Sequence, residues 1–557
     1  MKPQTARDTR QDTRQDTEPQ KVPSAGSRYT TVNRWDGVRW FLATLLVVAV
    51  AGLVVAVGLT RPAAAQKPHY GEPVPVPPGQ ITLACPQVPP TVNPAAVDGA
   101  GNPLAPPKIA GSMTSTVLAR TARVPEKAVY QPLGSRGRAP QSAAPTPEET
   151  TPEKTNSHPD EGANPATDDT EEVAPPPENP QHDLDLTPKS AMLYGSFSTP
   201  VSGFLTAQPW DGKVALAGAD IEQSVSSGDY RGLASASCQP AQLESWLVGG
   251  STEIGESSVL QLMNPSSNSV DAKVEVWGDT GKLDFPRGEK ISVPARQLQA
   301  IPLESQVGGT QRLVVRVTAN GAGLATSLMT HSLLGLTAGG VSLVHTSALP
   351  NTTQVIPGVA MDGSLGAVRL LNPGTDSARA TIEVVNENGR FPLPGGKDLD
   401  LDPGAVLDFT LGGLQPGNYA VIVNATQPVA AGAVVYRQGS VSPTDSDKFV
   451  RDLAWLPALS TGGGVVMGPA ATQRQLLVTN LNAENREYRI DGATHVVNAT
   501  TTVVVPLKDE TPQLIEAPDL YVTQVVTTNL GDGDGIDALE PIPDLSVSSQ
   551  IYVHLTS

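Results

Sequence analysis

Aromatic side chains are scarce: Phe, Trp and Tyr together make up 4% of the 557 residues. A cleft that grips and cleaves sugar rings draws on such side chains, so their scarcity weighs against a glycosidase. Cysteine is scarcer still. Cys85 and Cys238 are the only two, and a pair so far apart makes neither a Cys-x-x-Cys redox motif nor a zinc site. Basic charge is short as well, with 38 Lys and Arg against 56 Asp and Glu, a net −18. No basic stripe runs along the chain, which argues against nucleic acid as a partner. Familiar catalytic signatures are missing: there is no His-Glu-x-x-His, no Cys/His cluster, no Gly-x-Ser-x-Gly elbow and no nucleotide-binding glycine loop. The nearest approach to an elbow, GSLG at 363–366, lacks the spacing. No cofactor is implied, and the chain reads as a non-enzyme.

What is abundant is punctuation. Gly and Pro each number 52, which suits short strands and many turns. A chain of 557 residues is also too long for one hydrophobic core. The expected fold class is therefore all-β, built from several modules.

One long hydrophobic run is present. Residues 40–59, WFLATLLVVAVAGLVVAVGL, carry no charge, and a helix of that length crosses the roughly 30 Å hydrocarbon core of a membrane. Lys21, Arg28, Arg34 and Arg39 precede it, while only Arg61 and Lys67 follow before a long polar stretch. By the positive-inside rule residues 1–39 are a disordered cytoplasmic tail, 40–59 a transmembrane helix, and the bulk of the chain lies outside the cell membrane. A signal peptide cleaved after Ala65 is the rival, because Ala63 and Ala65 in RPAAAQ suit a peptidase site. The run exceeds the usual signal length, which favours a retained single-pass anchor. Both readings leave the bulk extracytoplasmic.

Residues 60–79 are Pro-rich and read as an extended linker. Residues 139–187 form an acidic Pro/Thr-rich insertion: from Glu148 to Asp185 twelve acidic residues stand against Lys154, a net −11. Between Ala139 and Gln181 there is one Val and no Leu, Ile or aromatic residue. Such a stretch buries too little apolar surface to offset chain entropy, and it reads as disordered. The flanking segments 80–138 and 188–245 carry short β-like runs and read as one N-terminal β module split by the insertion.

Beyond residue 245 the chain repeats itself. VLQLMNPSSNSVDAKVEVWGDTG at 259–281 returns as AVRLLNPGTDSARATIEVVNENG at 367–389, and Asn264, Asn372 and Asn480 are each 108 residues apart. That regularity marks tandem modules. Before the turn, Leu260 and Leu262 correspond to Val368 and Leu370, then to Leu476 and Val478. After it, Ala272 and Val274 correspond to Ala380 and Ile382, then to Tyr488 and Ile490. Each pair is two residues apart and lies on one strand face. The expectation is a half-buried, hairpin-like strand pair written three times, with the Asn forming the turn rather than binding a ligand. Roughly seven short strands per copy match an immunoglobulin-like β-sandwich. The expected boundaries are 246–350, 351–457 and 458–557 for repeats one, two and three; the strand order is not legible.

The remaining chemistry is thin. His69, His158 and His182 fall in Pro-rich or acidic stretches, and His331, His345, His495 and His554 stand alone in strand-like runs. Each reads as a structural or surface residue. Asp532, Asp534 and Asp537 in GDGDGID offer hard oxygens on a Gly-rich turn, a weak metal candidate. Glu540 stands at the wrong spacing for a calcium loop, and a flexible surface loop is the better reading. Cys85 and Cys238 both lie beyond the membrane run, each after a strand-like stretch, ITLA and LASAS. In an oxidising compartment they are expected to form a disulfide.

CQPAQLESWLVGG at 238–250, followed by LQLMNPSSNSVDAKVEVW and VRLLNPGTDSARATIEVV, resembles a family of actinobacterial membrane-anchored cell-envelope proteins of unknown function. That family is marked by a Cys-Pro element, a Trp-x-x-Gly-Gly step and repeated Leu-x-x-Asn-Pro strands. The resemblance covers about residues 80–90 and 188–557; it implies an envelope location and transfers no catalytic residue. The function expected is a non-catalytic scaffold or binding module for another envelope protein or a glycan. The alternative is an enzyme or glycosyltransferase accessory acting on cell-wall polysaccharide.

Overall fold

The apolar positions that alternate around each Asn turn, from Leu260 to Ile490, are all buried, Ile490 being the most exposed at 9%. This period-two burial is the signature of strands with one face on a core. The computed structural model describes residues 42, 45, 46, 48, 49, 74–75, 79–89, 109–118, 127–133, 184–185, 187–189, 192–197, 202–209, 214–467, 473–507, 512–544 and 550–551. Leu42, Leu45, Leu46, Val48 and Ala49 are helical, and the rest of the expected span at 40–59 lies outside the described residues, as do the tail and the insertion as far as residue 183. Among the described residues no helix is long and apolar enough to cross a membrane. From Ile81 onward the described residues are all-β, their strands interrupted only by two short 3-10 turns.

In repeat one, a first sheet sets Glu244–Val248, Val314–Ala319, Val270–Gly278 and Gly281–Leu283 side by side. A second sets Gln297–Pro302, Glu256–Asn264, Ala325–Leu334 and Thr337–Val344. Leaving out the short Ile291–Val293, these run first, sixth, third, fourth and fifth, second, seventh, eighth in chain order. Leaving out Thr187–Lys189 and Leu399–Leu401 as well, the same two orders recur in repeat three, in the N-terminal residues from Ile81–Cys85 to Gly232–Ser237, and in repeat two. There the 25-residue strand Gly417–Val441 serves as both sixth and seventh, its first half in one sheet and its second half in the other. In the N-terminal residues the third and fourth strands are Ala128–Pro132 and Leu184–Asp185, so the acidic insertion occupies the connection between them. Leu184–Asp185 and Thr187–Lys189 are strands, so the boundary expected at 187 falls among strand residues.

The hairpin expected around each Asn is not a hairpin. Glu256–Asn264 pairs with Gln297–Pro302 and Ala325–Leu334, whereas Val270–Gly278 pairs with Val314–Ala319 in the opposite sheet. The turn is an arch across the core. Alternating burial is identical for a strand lying beside its predecessor and for one facing it through the core, so the pattern alone did not separate the two. The arch also explains the Asn. Asn264, Asn372 and Asn480 are each 0% exposed, and each Nδ2 donates to the carbonyl four residues on, at 2.7, 2.7 and 2.8 Å. A second donation reaches Val293 O, Leu401 O or Val497 O, and each Oδ1 accepts the backbone N–H two residues on. A buried crossover leaves such carbonyls unpaired, and one side-chain amide satisfies them.

The eighth strand of each sheet pair faces its three counterparts. We number these β1 (Gly232–Ser237), β2 (Thr337–Val344), β3 (Phe449–Pro457) and β4 (Asp534–Leu539). β1 packs beside β2, β2 beside β3, β3 beside β4 and β4 beside β1. The last sheet pair therefore closes onto the first around a common axis.

Candidate functional site

An edge strand turned inward buries a row of N–H groups that has no ladder partner. At this axis carboxylates supply the acceptors. Asp452 of β3 is 0% exposed; its Oδ2 accepts from Leu233 N of β1 at 3.0 Å and Ile536 N of β4 at 2.9 Å, and its Oδ1 from Val341 N of β2 at 3.3 Å. One side chain thus ties all four strands. Gly340, at φ +114°, passes so close that a Cβ there would stand 2.8 Å from Asp452 Cα. One level along, Asp537 of β4 is also 0% exposed. It accepts from Ser235 N of β1 at 2.6 Å and from Ser342 Oγ of β2 at 3.3 Å, and that hydroxyl oxygen accepts from Trp455 N of β3 at 3.2 Å.

The third level opens to solvent. Just past β4, Glu540 Oε1 accepts from Gln239 Nε2 at 2.8 Å, and its carbonyl accepts from Ser237 Oγ at 3.0 Å. His345 Nδ1 stands 3.7 Å from the same Oε1. Residues following β1, β2, β3 and β4 ring a cavity of about 380 Å³ at this pole. Burial pushes Asp452 up to about 7 and, with the Asp220 charge adding, Glu540 up to about 8. It also pushes Asp220, on Leu216–Val225, up to about 7, holds Asp537 well above the usual carboxylate range, and drives the His345 imidazole down to about 4. The lone pairs of Asp452 and Asp537 are directed at N–H and O–H groups of neighbouring strands.

A second polar assembly lies between repeats one and two. Trp246 of the Trp-x-x-Gly-Gly step stacks on Trp277, ring centroids 5.4 Å apart. Gly249 leaves space for the Trp455 ring, which would lie 2.8 Å from a Cβ there, and Gly250, at φ +87°, offers its carbonyl to Arg369 Nη1 at 2.6 Å. Arg369 is 4% exposed. It forks onto Asp408 through Nε at 2.8 Å and Nη2 at 2.9 Å and lies 4.8 Å from the Trp455 ring centroid. Residues of both repeats line a cleft of about 270 Å³ here, with Glu256 and Arg312 facing it from repeat one.

The three aspartates of GDGDGID do not converge. Asp532 accepts from Arg231 Nε at 2.6 Å, Asp534 is exposed, and Asp537 belongs to the axis. Among the described residues no group of three or more His, Cys, Asp or Glu is placed to hold a metal ion. Cys85 and Cys238 are joined in a disulfide, their Cα atoms 4.2 Å apart across 153 residues of sequence. Beside it Ala84 and Gln239 exchange backbone hydrogen bonds at 2.8 and 2.9 Å, so strand Ile81–Cys85 is fastened to the end of β1. Sequence reasoning missed Asp452 and weighed Asp537 and Glu540 only as parts of a calcium loop, although a signal existed: an acidic residue inside a mostly apolar strand, as in FVRDLAWLP and DGIDAL. Glu256, Arg312 and Asp408 left no comparable signal, because the fold gathers them from three separate stretches.

Over residues 196–518 the chain matches DUF5719, a family of unknown function; the match spans more than half of the 557 residues, and the chain belongs to that family. A search of curated proteins and a search of solved structures found no match.

Proposed function

We propose that this member of a family of unknown function is a non-catalytic, membrane-anchored extracytoplasmic protein of the cell envelope, acting as a scaffold or binding module for another envelope protein or a glycan. The observation that carries the reading is the axis. Its buried carboxylates accept from backbone N–H groups of neighbouring strands, which holds four sheet pairs in one body. Two facing sheets of short antiparallel strands, repeated at 108-residue spacing, support tandem immunoglobulin-like sandwiches. A disulfide between the two cysteines is at home in an oxidising compartment. The uncharged run at 40–59, flanked by Lys and Arg on its N-terminal side, supplies the anchor and its direction.

Reporter fusions at residue 30 and at the C-terminus test the topology: activity of a cytoplasmic reporter at the first and of an exported reporter at the second is expected, and the reverse overturns it. Binding is tested by cross-linking in intact cells and by a glycan array with the purified full chain. Failure of both overturns the binding module.

A second reading, an enzyme or glycosyltransferase accessory acting on cell-wall polysaccharide, rests on Glu256 and Asp408 facing one cleft. Against it, both Asp408 oxygens are held by the Arg369 fork. Release of reducing ends from envelope polysaccharide, abolished in Glu256→Gln, would establish the second reading over the first.

A further inference from the structure

The cleft between repeats one and two differs from the axis in one respect: its polar groups are only partly engaged. Its floor is fixed. Arg369 is locked by Asp408, by the Gly250 carbonyl and by the Trp455 ring, so Asp408 and the guanidinium are held without mobile parts. Its walls are open. Glu256 Oε1 accepts from Ser332 Oγ at 2.7 Å, which leaves Oε2 for the cleft. Arg312 is 30% exposed and, among the described residues, touches protein charge at one point, Asp408 Oδ2 at 3.7 Å. The Tyr436 ring lines the same space and its hydroxyl makes no hydrogen bond among the described residues.

The lining decides the chemistry of a ligand. Carboxylates from Glu253, Glu256 and Asp408 share the lining with the guanidinium groups of Arg312 and Arg369. An anion would meet three carboxylates, and a cation would meet two guanidinium groups. An apolar ligand would strip water from all of them without replacing its hydrogen bonds, which is costly. A ligand that carries donors and acceptors on adjacent atoms, with no net charge, satisfies both kinds of group at once. Vicinal hydroxyls on a sugar ring are such groups. A volume of about 270 Å³ lies just under the roughly 300–1,000 Å³ of drug-sized sites, so the cleft takes a terminal unit or short branch while the remaining chain stays in solvent.

We infer that the cleft framed by Glu256, Arg312, Arg369, Asp408 and Tyr436 binds a neutral saccharide end. This rests on the binding-module reading and narrows it to the glycan. The Arg369 and Asp408 pair sets the floor; Glu256, Arg312 and the Tyr436 hydroxyl contact the sugar hydroxyls.

The test is calorimetric titration of the purified full chain in detergent with neutral hexasaccharides of glucose, galactose, mannose and arabinose, and with a uronic-acid hexamer as an anionic control. At least one neutral hexamer binds, and the uronic-acid hexamer does not. Arg312→Ala and Tyr436→Phe each weaken binding about tenfold or more, as loss of a hydrogen bond to a polar ligand does. Arg379→Ala, 60% exposed on another strand of repeat two, leaves it unchanged, and unaltered thermal melts show that the variants are folded. Binding that survives both cleft variants overturns this site while the glycan-binding module stands. No binding of any neutral hexamer, with specific cross-linking to an envelope protein retained, overturns the saccharide inference and leaves the scaffold. Preference for the uronic-acid hexamer overturns the assignment of a neutral ligand.

Discussion

Inside repeat one, Leu260, Leu262, Val274 and Val315 meet between two sheets, none more than 2% exposed. At the axis Asp452 and Asp537 are 0% exposed and their neighbours are N–H groups. Equal dryness is filled with opposite chemistry. The cause is the destination of the backbone hydrogen bonds. Between two sheets of a sandwich each inner strand has its ladder on both sides, so side chains need only fill space. Around the axis four edge strands converge at a distance where they do not ladder with one another, and their inward N–H groups need acceptors of another kind. A buried carboxylate is costly alone, but an N–H left unpaired costs about 1–3 kcal/mol each, and one carboxylate here satisfies three.

The comparison breaks if the axis tolerates an apolar residue. Asp452→Ala should cost on the order of 5 kcal/mol, because the Leu233, Val341 and Ile536 N–H groups all lose their acceptor. Asp452→Asn, which keeps an acceptor but adds donors facing donors, should fall between. Conversely, Val274→Asp should cost about 4 kcal/mol by placing a charge in an apolar core. Chemical denaturation of the full chain reads all three. If Asp452→Ala matches a surface substitution, the axis is not what closes the ring.

Next in size is the fastening of the N-terminal sheet. Cys85→Ser removes a crosslink spanning 153 residues, for which a loss of about 2–5 kcal/mol is typical. Limited proteolysis should then cut within residues 80–135 first, with the three repeats persisting. Simultaneous loss of repeats and N-terminal strands would show that β1 is held more by the disulfide than by Asp452 and Asp537.

Acidity sharpens the contrast further, because the axis and the nearby Asp220 hold the carboxyls that burial pushes furthest up. Asp452 and Asp220, at about 7, and Glu540, at about 8, lie above their unfolded values, so the folded chain holds more protons than the unfolded one between about pH 4 and 8. Their contribution is therefore fully present in acid and is lost as pH rises through that window. His345, at about 4, lies below its unfolded value and acts oppositely, its contribution falling away below about pH 6.5. Three carboxylates outweigh one imidazole, and thermal melts should show the chain more stable at pH 5 than at pH 8. A higher melting temperature at pH 8 would mean that the N–H donors hold these carboxylates ionised despite their burial.

Which parts were legible follows from the same contrast. Period-two alternation and 108-residue spacing report which face of a strand is buried, and the twelve repeated positions are buried. They do not report which sheet a strand joins, so the arch at Asn264 was taken for a hairpin. The cysteines were legible because two were present and both lay on one side of the uncharged run at 40–59. The axis was illegible because its chemistry depends on four strands from four sheet pairs; Asp452 and Leu233 are 219 residues apart, and no local pattern joins them. The cleft is hidden for the same reason.

A smaller effect lies at the arch. Asn372→Ala leaves the Asp376 and Leu401 carbonyls and the Gly374 N–H without the side-chain partner they share. About 2 kcal/mol is expected, because the arch lies near the surface at one end and water can take over part of the bonding. An equal loss in Asn264→Ala and Asn480→Ala would show that the three arches are energetically equivalent; a tenfold spread in equilibrium constant among them would show that neighbouring sheets matter more than the turn.

The smallest effect is the control for all of these, one residue from a large one. Lys273 precedes Val274 on the same strand, and its side chain is 43% exposed. Its amine reaches the half-covered Glu275 at 3.7 Å and the exposed Glu289 at 3.3 Å, surface pairs of a kind typically worth about 0–1 kcal/mol. Lys273→Asp removes both pairs and puts like charges together, yet solvent screens them, so a loss within about 1 kcal/mol is expected. The same new side chain at 273 and at 274 then differs only in the face it occupies. Denaturation midpoints close to wild type for Lys273→Asp and far below it for Val274→Asp locate the core on one side of this strand. Similar losses at both positions would mean that the outer face is also covered, and therefore that a partner surface lies over it.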